Sequence, residues 1–434
     1  MKTKQIAIIL YIFFINFYFS DLASPSPFLV EQPNGQTLSI YNNGNHLQGW
    51  HEYRGWTITL RNDNWWVYAN GNTGTKLTPS DLRVGVDPVP NEQTASFSKG
   101  LKPDPFEFTD DAPIPNLRIM RTDTFHVPLI LVEFPDANAV YEPADFDSIM
   151  NQRGYTHLNY DNTGSFRDFY QEISYGQFLP IAEVSNWFMA EHEHDYYSYN
   201  NGYTRVRQLV RAMVDSLEAS GFDWSGFDND GDGYVDALNL IHQGAGAEEG
   251  DYSNIWSHKS SLGNLAVNYD GVIINSYNIS PEIQNGNIVA IGVLAHEFGH
   301  ALGLPDLYDT DYSSSGAGKL ALMASGSWGT NNNSPWYPAT MVGWCKNELG
   351  WVDVVEITDD QTNVSLQQTY SNNTVVRVNH SQVSEEYWLI ENRQKIGSDT
   401  LMPTPGLTIW HINDDMADGW APNNNEPYYG VGLE

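Results

Sequence analysis

The segment HEFGHALGLPD, residues 296–306, holds the residue types and spacing best suited to chemistry in this chain. His296 and His300 stand four apart, and on an α-helix that offset is about 40°, so both imidazoles can reach a single ion. Glu297 falls at the edge of the same face, in position to hold a water on that ion. Gly303 can end the helix in a left-handed conformation and Pro305 blocks its continuation, which lets Asp306 turn back toward the histidines. Two imidazoles and one carboxylate leave the fourth position of a tetrahedral zinc open, as a catalytic site requires and a closed structural site does not. Zinc brings the pKa of its water toward about 7, and Glu297 would take that proton and deliver it to the leaving amine of a peptide bond. Two solvated histidines, or a purely structural metal, would leave Glu297 without a reason to be there. A distant glutamate such as Glu348 is the rival third ligand.

A second constellation is FDNDGDGYVDALN. It offers Asp228, Asp230, Asp232, the backbone carbonyl of Tyr234, and Asp236 around a tight turn at Gly233, all hard oxygen ligands of the kind calcium takes. Asn239 stands where an EF-hand would carry its bidentate glutamate, so the reading is a structural calcium loop of another kind. A turn of solvated aspartates is the plainer alternative. Glu248 and Glu249 are weaker cation candidates, equally well read as surface acids.

Elements must position these residues. Ile291, Leu294, Ala295, Phe298 and Leu302 form a dry side opposite the histidines and anchor the helix in a core. A buried-type strand is expected at 127–134, helices at 164–173 and 204–220, and strands at 235–242 and 271–277. The second helix repeats apolar residues at Val206, Leu209, Val210, Met213, Val214 and Leu217, and Gly221 ends it. Upstream, GWTITL and NWWVYAN read as strands joined by residues 61–63, and the Pro-rich acidic stretch 103–115 reads as a linker. Downstream of Val354, short strands are expected in VSLQQTY, TVVRVNH, EYWLIENRQ and GLTIWHIND. The expected organisation is a signal peptide over 1–23, a small β-rich pro-like N-terminal domain and linker over 24–112, a catalytic domain over 113–354, and a β-rich continuation over 355–434 that reads as truncated.

Met1 to Ala23 opens with Lys2 and Lys4, runs apolar and ends in small residues, as a secretory signal peptide does. Its apolar run is shorter than the roughly 20 residues of a membrane span, so a secreted product without stable membrane insertion is expected. The whole chain has 54 acidic against 21 basic residues, a net charge of −33. That balance argues against nucleic acid as a partner and leaves protein or peptide substrates. Cys345, the one cysteine, excludes an internal disulfide and falls in an apolar stretch, where a buried structural thiol is expected. A carbohydrate-binding or adhesive protein is the alternative from another class, motivated by Trp50, Trp56, Trp65 and Trp66.

From HEFGHALGLPDLYD, with GSFRDFYQEISYGQF, IHQGAGAEEG, IWSHK, YWLIENRQ and GLTIWHIND in support, the chain resembles the immune inhibitor A family of secreted metallopeptidases, relatives of the metzincins. The resemblance spans about residue 117 to the C-terminus. It implies an α+β, metzincin-like zinc peptidase domain with a mixed twisted sheet and an active-site helix, Asp306 as third ligand, and Met323 as the Met-turn residue. By its own chemistry Met323 reads only as a flexible core filler beneath the site. Pro-segments of metzincins often hold the zinc latent with a cysteine, and none stands before Cys345, so any latency must work otherwise.

Overall fold

The computed structural model describes residues 19–91, 97–106, 124–157, 162, 164–198, 203–330, 334–358, 362–419 and 421–434. Most of the candidate signal peptide and most of the 103–115 stretch lie outside the described residues.

The sheet that carries the site is mixed, in the order Phe19–Ser20, His258–Ser261, Ser276–Gln284, Leu238–Ala245, Phe125–Glu133, Pro180–Met189, with Asn287–Ile288 paired beside Ser276–Gln284. Its four strands from Ser276–Gln284 to Pro180–Met189 run parallel, while His258–Ser261 and Phe19–Ser20 add antiparallel at one edge. The near-continuous apolar run of Phe125–Glu133 follows from burial on both faces. Phe125, Val127, Leu129 and Leu131 enter one core with the helices Phe166–Ile173 and Ile291–Ala301. Ile130 and Val132 enter the other core, with the apolar face of helix Tyr203–Ala219. Helix Phe166–Ile173 starts on a capping box in which the Asp168 amide donates to the Ser165 hydroxyl and the Ser165 amide donates to the Asp168 carboxylate.

Residues 28–83 form a six-stranded antiparallel meander, Phe28–Glu31, Thr37–Asn45, Gln48–Tyr53, Trp56–Leu60, Trp66–Asn72 and Leu77–Arg83. It has a small core of its own that includes Ile40, Trp56, Ile58 and Tyr68. Trp50 and Trp56 are buried and Trp65 and Trp66 half-buried, so the first two serve packing rather than an open sugar platform. A five-stranded sheet forms from the C-terminal segments Asp353–Ile357, Thr374–Asn379, Glu386–Arg393, Gly406–Asn413 and Val431–Leu433. Here the structure departs from expectation: VSLQQTY makes one isolated bridge, Gln368 to Asn392, and the first strand of the sheet is Asp353–Ile357 instead. The side chains of that stretch do not alternate between core and solvent, and its backbone contact is confined to Asn392. Cys345 is fully buried on the short helix Gly343–Glu348, and burial pushes its thiol well up. Among the described residues no helix is long and apolar enough to cross a membrane.

Candidate metal centre

Helix Ile291–Ala301 is buried along its whole length, so its register is fixed by packing on every side. Gly299 lies between the two histidines in sequence, and a side chain there would run into the sulfur of Met323. The Met323 side chain therefore packs against the helix at Gly299. Gly303, at φ 90°, reverses the chain, its amide donating to the His300 carbonyl and that of Leu304 to Gly299. The Leu307 amide then donates to the Met323 carbonyl at 2.6 Å, which fixes the loop carrying Asp306.

The result is a nearly equilateral triangle of ligand atoms. His296 Nε2 lies 3.1 Å from Asp306 Oδ1, His300 Nε2 lies 3.2 Å from the same oxygen, and the two Nε2 atoms are 3.1 Å apart. A tetrahedral ion with bonds of roughly 2.0–2.1 Å needs edges of about 3.3 Å. Both Nδ1 atoms are occupied elsewhere, His296 at the Leu322 carbonyl (2.9 Å) and His300 at the Leu304 carbonyl (2.8 Å). Those contacts hold the rings in the tautomer that turns each Nε2 lone pair toward the shared point. Glu297 Oε2 is buried with no hydrogen-bond partner.

The electrostatics ask for a cation at the same point. Burial resists charging His296, yet the Asp306 hydrogen bond and the carboxylates of Asp21, Asp306 and Glu297 carry it up to about 10. Burial likewise resists ionising Asp306, but its histidine neighbours bring it down to about 2. Burial pushes Glu297 well above the usual carboxylate range, with Asp21 and Asp306 adding to the rise against His296. Three acids around two imidazoles thus retain a proton unless another positive charge is present. Glu348 is exposed and outside this cluster.

Several residues near the site had no role in the sequence reading. Lys259, on the edge strand His258–Ser261, is buried and donates from Nζ to the His300 carbonyl at 2.5 Å, capping the last turn of the helix. Burial lowers its ammonium to about 7, against the opposing charge of Glu297. IWSHK was visible as a motif, but nothing in its spacing connects it to residue 300. Asp21 is likewise fully buried, and its amide donates to Glu297 Oε1 at 2.8 Å. The hairpin at residues 45–48 reaches the same region: His46 stacks on His258 at 5.3 Å, and Asn45 Nδ2 donates to the Tyr308 hydroxyl at 3.1 Å. Asn42 Nδ2 donates to the carbonyls of Ala247 and Glu248. The buried Glu248 carboxylate accepts from the Ser257 hydroxyl, so it is an internal brace and not a surface acid.

In the aspartate loop, Asp228, Asp230 and Asp236 bring one oxygen each within 4.8 Å of one another. Asp232 is exposed and outside that trio, with its carboxylate accepting from the Tyr234 amide at 2.9 Å. Asp236 is buried, one oxygen accepting from the Asn229 amide and the other, Oδ1, without a partner. Burial raises its carboxyl to about 7.

A mixed sheet with a buried helix bearing two histidines, a returning aspartate and a glutamate defines a catalytic domain of the metallopeptidase class, and comparison gives its family. Residues 120–352, more than half of the chain, match the immune inhibitor A peptidase M6 catalytic domain, and the chain belongs to that family. The pre-pro-metalloprotease PrtV of Vibrio cholerae serotype O1 is 29% identical over 279 residues, 54% of this chain and 30% of that protein. Immune inhibitor A of Bacillus thuringiensis subsp. alesti is 29% identical over 266 residues, 50% of this chain and 37% of its own length. The chain thus spans about a third of these curated relatives.

Proposed function

We propose that this chain is a secreted zinc-dependent endopeptidase with a metzincin-like catalytic domain, in which His296, His300 and Asp306 hold the metal and Glu297 is the general base. The observation that carries the reading is the ligand triangle, with both Nδ1 atoms tied to backbone carbonyls. Bound there, zinc supplies Lewis-acid polarisation of a peptide carbonyl and acidifies the attacking water. Glu297 takes the proton from that water and returns it to the leaving amine. Lys259 steadies the last helical turn, and Met323 packs against the helix at Gly299 as the Met-turn residue. Purified protein should contain one zinc per chain, and stripping it with a chelator should abolish casein hydrolysis until zinc is returned. Undiminished hydrolysis by metal-free protein would overturn the reading.

The N-terminal unit acts as a pro-segment in this reading. Its 45–48 hairpin stands beside the site, with His46 stacked on His258 and Asn45 donating to the Tyr308 hydroxyl. Trimming the purified protein by limited proteolysis in the 103–115 linker should raise its specific activity on a small peptide. Equal specific activity in the intact and trimmed forms would refute the inhibitory role.

Calcium is proposed for the aspartate loop, held by Asp228, Asp230 and Asp236, with Asp232 and the Tyr234 carbonyl as further ligands if the loop tightens. Its support is the buried Asp236 Oδ1 aimed at like charges with nothing to neutralise it. An ion bound only to the native state stabilises by about 2.7 kcal/mol at a hundredfold excess over Kd. A calcium-selective chelator should therefore lower the melting temperature while zinc remains, and Asp230→Ala should be less stable and largely blind to it. Identical melting of the two proteins with and without millimolar calcium would leave only an acidic turn.

A further inference from the structure

The chain's own residues 19–22 lie at the site as an extended peptide. Phe19 and Ser20 pair antiparallel with Lys259 and His258 on the edge strand. The next amide nitrogen, that of Asp21, is 2.8 Å from Glu297 Oε1, which is where the leaving nitrogen must be when that carboxyl delivers its proton. The backbone beyond it is held by two indoles. Trp256 Nε1 donates to the Asp21 carbonyl at 3.1 Å, and Trp328 Nε1 donates to the Leu22 carbonyl at 3.1 Å. Both rings are 1% exposed. They come from segments 72 residues apart in sequence and hold successive carbonyls of this one stretch of backbone.

A side chain reader would give these carbonyls different surroundings for different residues, but an indole N–H on a main-chain oxygen is indifferent to sequence. Indole is a donor only, so each ring asks for an acceptor in a fixed place. An extended peptide of any sequence supplies one per residue. The side chain of Leu22 meanwhile lines, with Trp328 and Ser325, a cavity of about 350 Å³ with room for a larger group.

Resting on the peptidase reading above, we infer that Trp256 and Trp328 are substrate-binding residues that grip the carbonyls of the first and second residues after the scissile bond. The substrate class follows: peptide segments that continue at least two residues past the cleaved bond, held by backbone and not by side-chain identity. Residues 21 and 22 show the register, with the bond before residue 21 in the position of the cleaved one.

The test uses three synthetic substrates with the same acyl side. The first has a simple alkylamine leaving group with no carbonyl, the second one residue as its amide, and the third two residues as their amide. They are assayed on the zinc-loaded protein purified after secretion and removal of the 1–23 signal segment, so that residues 19–22 do not compete for the two indoles. Each added carbonyl should raise kcat/KM, by about five- to tenfold for one hydrogen bond. Trp256→Phe should abolish the gain from the first carbonyl, and Trp328→Phe only the gain from the second. Because the comparison is a ratio within one protein, a variant that folds poorly loses all three rates together and the ratios still report. If the parent gains from each carbonyl and both variants gain equally, the assignment is overturned while the peptidase reading stands. If the parent cleaves none of the three, the peptidase reading falls and this inference with it.

Discussion

Glu297→Gln is expected to retain zinc at the stoichiometry of the parent protein and to lose about a hundredfold or more in peptide hydrolysis, the range a positioned general base supplies. Glutamine matches glutamate in shape, and its carbonyl oxygen can still accept the Asp21 amide that now donates to Oε1. The ligand triangle does not include Glu297, so metal binding has no reason to change. What disappears is an atom that can accept a proton from water and return it to nitrogen. Removing a buried carboxylate that lies among Asp21 and Asp306 also relieves like-charge repulsion, so the variant should melt no lower than the parent. Metal analysis, peptide kinetics and a melting curve check the three parts. Parental turnover in the variant would sink Glu297 as the base.

Asp306→Ala should behave differently, losing metal as well as activity. Asp306 Oδ1 is the vertex shared by both histidine contacts, at 3.1 and 3.2 Å, so its removal leaves two imidazoles and no negative charge in the first coordination sphere. The loss should exceed the about 10- to 100-fold in affinity that removal of a merely supporting partner costs. The histidines themselves remain oriented, because their Nδ1 contacts run to the Leu322 and Leu304 carbonyls and not through Asp306. Residual weak binding with unchanged secondary structure is therefore the expected picture by titration calorimetry and circular dichroism. Full zinc occupancy in Asp306→Ala would reassign the third ligand. Glu348 would then have to move from an exposed position on the helix Gly343–Glu348.

Much of the local structure around the site was legible from spacing, because each such feature depends on neighbours along the chain. Histidines four apart share a helical face, Gly303 reverses the backbone, and Pro305 cannot extend the helix, so Asp306 returns. The apolar period of Val206, Leu209, Val210, Met213, Val214 and Leu217 produced the face that is buried. The run at Phe125–Glu133 marked a strand covered on both sides. Spacing was less informative where two outcomes share a pattern. VSLQQTY alternates apolar and polar residues over its first four positions but makes one bridge.

The sequence by itself determined the helix that bears His296 and His300 and the turn that brings Asp306 back to them. Only the tertiary structure decided that Asp21 would cover Glu297 from 276 residues away, and that Lys259 would cap the helix at His300. It alone brought Trp256 and Trp328 to one extended backbone. A helical or turn contact is fixed by dihedral angles over a few residues, which periodicity exposes. A contact across the cleft depends on how the sheet edge, the helix and the 324–328 turn pack against one another, and no local period of the chain records that.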